Sequence, residues 1–162
     1  MPQGNLGFLI AGLNTLIYGL YLVWPPHNMY NYMNNFTFSS YGFNKGYFWN
    51  LITCHFSHMQ FLSFLIDSAI CWMFCQNIMN MFGPIYVGRI ILLSIVFGSG
   101  LLALQTYVGG RHTAYYGNDA LVRGLIFSII FSNPQASLML FPIPVNIPAW
   151  AIGALILGVD LL

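Results

Sequence analysis

The chain has 162 residues, of which 58% are hydrophobic and only 4% charged, with a formal net charge of +1. A water-soluble domain carries about a quarter of its residues as charges, so the composition defines an integral membrane protein. It also excludes a nucleic-acid partner, which needs a basic face.

The predicted elements follow in chain order. No Arg-rich presequence is expected before residue 5, and residues 5–24 do not have the pattern of a signal peptide. Residues 5–24 are long and apolar enough for a first span, with Asn14 as a helix–helix hydrogen bonder. Trp24-Pro25-Pro26 ends it at an interface. Residues 25–50 are rich in Asn, Tyr and Phe and read as an interfacial loop in the headgroup region. His27 in this loop reads as a surface residue. A second span is expected over residues 56–81, and Gly83-Pro84 then breaks the chain. A third covers 85–107, with Gly98-Ser99-Gly100 as a small-residue packing patch. The fourth, 118–132, is short and ends at Asn133-Pro134. In the last, 138–162, Pro142, Pro144 and Pro148 force an extended or broken first half. The expected fold is an all-α membrane bundle of about five transmembrane helices forming a single domain over residues 1–162.

Charge is so rare that each charged residue needs a reason. The acids are Asp67, Asp119 and Asp160, and the bases are Lys45, Arg89, Arg111 and Arg123. Lys45 and Arg111 fall on one side of the membrane and Arg89 on the other, too few to fix orientation. A charge at a helix centre costs about 2.5–3.5 kcal/mol on insertion scales. Asp67, Asp119 and Arg123 are therefore expected to meet in a polar cluster. Asp119 and Arg123 stand four apart on one helix face. The rival for Arg123, as for Arg111, Arg89 and Lys45, is a partner's carboxylate or a lipid phosphate. Milder readings apply to the other polar residues. His55 and His58 read as structural histidines bonded to loop backbone, and Ser63 as bonded within its own helix. Cys54, Cys71 and Cys75 fit no metal spacing, and Cys71 and Cys75 read as core packing.

Trp49-Asn50-Leu51-Ile52-Thr53, then Phe56, His58 and Asp67, resembles a stretch of the rhomboid intramembrane proteases. Gly117-Asn118-Asp119-Ala120 with Gly124 is similar to that family's G-x-S-G-x-x-x-G at the start of its fourth helix. The resemblance runs from about Phe48 to Leu162 and implies a rhomboid-like bundle. It also implies degenerate catalytic positions. Asp119 stands where the family has its serine nucleophile. Ser63 and Asp67 stand where a histidine and an asparagine help bind the oxyanion. Asn50 replaces the arginine after the tryptophan. The family's base histidine lies on a sixth helix, which is not expected within these residues.

Acyl transfer needs a nucleophile, a base within reach and oxyanion donors, so no peptidase activity is expected. The favoured function is a structural or accessory subunit of a larger membrane complex. A composition rich in Phe, Tyr, Asn, Ile and Met, typical of AT-rich organelle genes, points to the mitochondrial inner membrane, in a respiratory-chain or ATP-synthase assembly. The alternatives are a factor binding transmembrane clients, as in derlin-like relatives, and a split intramembrane protease completed by another chain. Expected partners are membrane lipids and other transmembrane subunits of a hetero-oligomeric complex. No cofactor is implied beyond a bound phospholipid, and no metal. A neighbouring subunit or a tightly held lipid is expected to cover the side of the fourth helix.

Overall fold

A computed structural model describes residues 6–109, 114–140 and 143–160. Among the described residues, three helices are long and apolar enough to cross a membrane. They are α1 (Leu6–Val23) and, further along the chain, the 22-residue Phe61–Phe82 and the 26-residue Pro84–Gly109. Their outward faces carry exposed Leu9, Leu16, Leu92 and Val96. In lipid such faces need no cover, because acyl chains are as apolar as leucine.

Between α1 and the second long helix the expected loop is folded into short elements. These are a 3₁₀ turn (Pro26–Asn28), α2 (Met29–Phe36), strand β1 (Phe38–Ser39), α3 (Ser40–Asn44), α4 (Asn50–Thr53) and a 3₁₀ turn (Cys54–Phe56). The reason is local. The ring of Tyr32, fully buried, packs against Tyr21, Trp24 and Phe36 with centroids 5.4, 5.7 and 4.9 Å away. The Trp24 indole N–H donates to the Asn28 carbonyl at 3.0 Å, and Ser39 caps α3 by accepting from the Gly42 N–H at 3.0 Å. His27 is exposed, as expected.

The second long helix is α5 (Phe61–Phe82). It starts five residues later than expected, because the 3₁₀ turn takes Phe56. α1 packs along it. Asn14, buried within α1, donates from Nδ2 to Ser68 Oγ at 3.1 Å, which bears out its expected role as a helix–helix hydrogen bonder. Tyr18 stacks on Phe64 with centroids 4.5 Å apart and planes 6° from parallel. Gly83 ends α5 with φ of +85°, a conformation an L side chain rarely takes. α6 (Pro84–Gly109) follows at once.

Strand β2 (Ala114–Tyr115) pairs antiparallel with β1 and leads into the 14-residue α7 (Asp119–Ser132). α7 packs against α5, α6 and the last helix. Its Leu121, Leu125 and Ile129, spaced by four, are fully buried. They meet Cys71, Phe74, Cys75 and Ile78 of α5 and Val87 of α6 in the core, so Cys71 and Cys75 are packing residues as expected. At 1.5 Å per residue α7 is about 21 Å long, short of the ~30 Å hydrocarbon thickness. Beyond it lies a hairpin of β3 (Ser137–Leu140) and β4 (Ile143–Pro148), paired antiparallel, then α8 (Ala149–Asp160). The extended segment expected from Pro144 and Pro148 is present, and the final helix follows it over Ala149–Asp160. Pro142 lies outside the described residues.

α6 and α7 touch closely at Gly124, where an added Cβ would overlap the Ser94 hydroxyl. Gly124→Leu should therefore cost about 1–3 kcal/mol of stability through overpacking. Thermal unfolding in mild detergent checks this, with Gly12→Leu, at a glycine with open space around it, as the tolerated control.

Candidate functional site

The polar residues of the chain gather where the second 3₁₀ turn meets α6 and the start of α7. Three links hold α4, which leads into that turn. The Thr53 hydroxyl donates to the Asn35 carbonyl, and the Trp49 indole donates to Asn35 Oδ1 at 3.0 Å. The Ser99 hydroxyl of α6 donates to the Leu51 carbonyl at 2.7 Å.

Ser99 Oγ also lies 3.2 Å from His55 Nε2. The single hydroxyl proton is already committed to Leu51, so His55 Nε2 carries the hydrogen and donates. Nδ1 is then the acceptor, and it is buried without a hydrogen-bond partner among the described residues. Burial pushes the imidazole down to about 4, so it is neutral at physiological pH. The expected backbone bond of His55 is thus replaced by a bond to a side chain on α6.

Gly98 makes this convergence feasible. A Cβ there would sit 3.0 Å from Ala120 Cβ and 3.1 Å from His55 Cε1. On the other side, the Tyr115 ring stands edge-on to His55 with centroids 5.7 Å apart. Burial, with the nearby Asp119 carboxylate adding to it, pushes the Tyr115 phenol up to about 12. The connection into α7 is fixed by the Gly117 N–H, which donates to the Cys54 carbonyl at 2.9 Å. Gly117 takes φ of +115°, which turns the chain sharply into the helix.

The next residues divide the polar groups into two sets. Buried Asn118 donates from Nδ2 to the Asp67 backbone carbonyl at 3.3 Å, towards α5. Asp119 and Arg123 instead line a cavity of about 230 Å³ with His55, Tyr115 and Gln105. Both side chains are exposed in the isolated chain. The acid sits in the first turn of α7, where the helix dipole favours negative charge.

Asp67 is not among the residues lining that cavity. Its Oδ2 lies 3.5 Å from Nε2 of His58, at side-chain exposures of 29% and 2% respectively. Neither His58 ring nitrogen has a hydrogen-bond partner among the described residues, so the approach to Asp67 is a close contact rather than a hydrogen bond. This corrects the expected backbone bond of His58. Its ring packs edge-on to Phe64 at 6.0 Å.

The structure therefore brings Asp119 and Arg123 to one cavity and sets Asp67 beside His58, with Asn118 between. Ser63 is exposed on α5. Lys45 lies over the Tyr41 ring at 4.4 Å, and Arg89 is exposed near the start of α6. Arg111 lies outside the described residues. Sequence reasoning missed Tyr115 and Gln105, neither of which stands out in an aromatic and apolar chain, and read Ser99 only as part of a small-residue patch.

Fold and site together define a helical membrane protein with a polar cavity at the start of a central short helix. The Rhomboid domain family model matches residues 45–161. The chain belongs to the rhomboid family. It is similar to the RHOMBOID-like protein 12, mitochondrial, of Arabidopsis thaliana, with 27% identity over an alignment covering 95% of this chain and 50% of that protein. The chain thus spans about half the length of the curated relative it matches. No solved structure matches it.

The depressed pKa of His55 predicts how stability responds to acid. As pH falls below about 6.5 the unfolded chain takes up a proton that the folded chain refuses until about 4. The unfolded state then binds more protons, so stability declines across that window and is full above it. His55→Gln should flatten that part of the profile. Melting in detergent at pH 7, 5.5 and 4.5 tests it: an equal acid slope in wild type and variant excludes His55 as the cause.

Proposed function

We propose that this protein is a rhomboid-family member without peptidase activity that serves as a structural or accessory subunit of a larger membrane assembly. Our reading places it in the mitochondrial inner membrane, in a respiratory-chain or ATP-synthase complex. The observation that carries the proposal is Asp119. It stands at the position that corresponds to the family's serine nucleophile and lines the cavity with Arg123. A carboxylate there accepts hydrogen bonds and offers no hydroxyl to attack a peptide carbonyl. Ser63 and Asp67, at the positions of the oxyanion donors, support the same reading. Ser63 is exposed, and Asp67 turns its carboxylate to His58. A carboxylate near a developing oxyanion raises its energy rather than lowering it.

One further feature favours a subunit. The chain has almost no charge with which to act in water. The mitochondrial relative supports the compartment. A second reading, a factor that binds transmembrane clients, is favoured by the open face between α6 and α7, where Leu93, Phe97, Leu101 and Phe131 are exposed.

The purified protein should stay unlabelled by a fluorophosphonate probe and should leave a generic intramembrane substrate intact. In mild detergent it should copurify with the same membrane proteins in a fixed ratio. Cleavage or labelling would overturn the inactive reading. A substoichiometric mixture of many transmembrane proteins would replace the subunit by the client-binding factor.

A further inference from the structure

We infer that the cleft between α6 and α7 binds one zwitterionic phospholipid, with its phosphate at Arg123, its ammonium at Asp119 and one acyl chain along the apolar groove. The cleft has two chemistries in one continuous space. The groove, about 570 Å³, is walled by Ile90, Leu93, Phe97 and Leu101 of α6 and by Phe127 and Phe131 of α7. The polar cavity of about 230 Å³ joins its end, and Gly98, Leu101, Ala120 and Arg123 line both. An apolar channel that ends at paired charges is the negative image of an amphiphile.

The depth of the cleft matches one leaflet. Gln105, at the polar end, lies about one turn before α6 ends at Gly109, beside the interfacial turn that carries His55. The polar end is therefore at the aqueous boundary, and the groove runs inward from it. From Leu101 to Ile90 it follows α6 for about three turns, roughly 16 Å. That is half of the ~30 Å hydrocarbon core. An acyl chain of one leaflet fills such a length, whereas a transmembrane helix needs the whole core.

Charge selects the headgroup. Arg123 and Asp119 stand one turn apart on the same face of α7, their Cβ atoms on the order of 5–6 Å apart. A headgroup with phosphate and ammonium two carbons apart can satisfy both charges. An anionic headgroup meets the Asp119 carboxylate. Neither side chain is required to be otherwise unpartnered, since both also interact within the chain.

The test is made on the full chain, so it does not depend on the proposed subunit role. Protein extracted from its own membrane in mild detergent is examined by native mass spectrometry with lipid analysis. After delipidation it is offered phosphatidylethanolamine or phosphatidylglycerol. About one ethanolamine or choline phospholipid per chain is expected, with phosphatidylethanolamine rebinding at least tenfold better than phosphatidylglycerol. Arg123→Gln should lower retention about tenfold, and Arg123→Lys should keep most of it. If Arg123→Gln fails to fold, Leu93→Trp narrows the groove from an exposed position and should also lower retention. Equal binding of the two lipids, retention untouched by both variants, or full crosslinking of a Phe97→Cys variant to another polypeptide would each overturn the site.

Discussion

Everything around the polar cavity depends on the close approach of α6, α7 and the interfacial 3₁₀ turn at Gly98. With hydrogen in place of a side chain there, Ala120 and His55 come within contact distance of the same backbone. In lipid, helices gain little from burying apolar surface against one another, so close packing and interhelical hydrogen bonds must hold them. The bundle uses both. Gly98 and Gly124 bring α7 onto α6, and Ser99 ties α6 to α4 through Leu51 and to the turn through His55. Once α7 is seated, its fully buried stripe of Leu121, Leu125 and Ile129 fixes its rotation. Asp119, Arg123 and Phe127, spaced by four, then fall on the open side together.

The same rotation accounts for the separation of the acids. Asn118 points from the start of α7 to α5 and reaches the Asp67 carbonyl. Asp119, the next residue, is turned by about 100° on a helix of 3.6 residues per turn. It faces the cavity between α6 and α7 instead. Asp67 on α5 is thus served by the residue before Asp119, and its carboxylate takes buried His58 as its neighbour. An expectation built only from which helices meet has no means to resolve this one-residue difference. It assigns both acids to the same space because the helices that carry them do pack together.

The long elements were legible because the bilayer imposes them. Twenty or so apolar residues, bounded by Trp, Pro and Gly, leave few alternatives, and α1 and α6 begin and end within two residues of expectation, while α5 differs by five at its start. The segment between α1 and α5 was not legible as structure. Its short helices follow from one buried ring, Tyr32, and from single caps such as Ser39, not from any hydrophobic period. The site was legible in part. Rare charges marked Asp67, Asp119 and Arg123, since a charge in apolar sequence demands a reason. Tyr115 and Gln105 carried no such mark, and only the fold brings them to the cavity; Ser99 was marked only as part of a small-residue patch, and the fold sets it on His55.

An aspartate at position 119 has a physical logic within this scaffold. The residue begins a helix, where unpaired backbone N–H groups and the dipole favour negative charge. The position that the resemblance assigns to a serine nucleophile is therefore one that stabilises charge building on an oxygen. The same environment suits a resident carboxylate at least as well, and without a base to remove a proton. Arg123, one turn along the same face, adds a positive charge that no attacking hydroxyl requires. A position prepared for a transient anion can in this way hold a permanent one. The cost of an Asp in apolar sequence is then met by features that this helix start already provides.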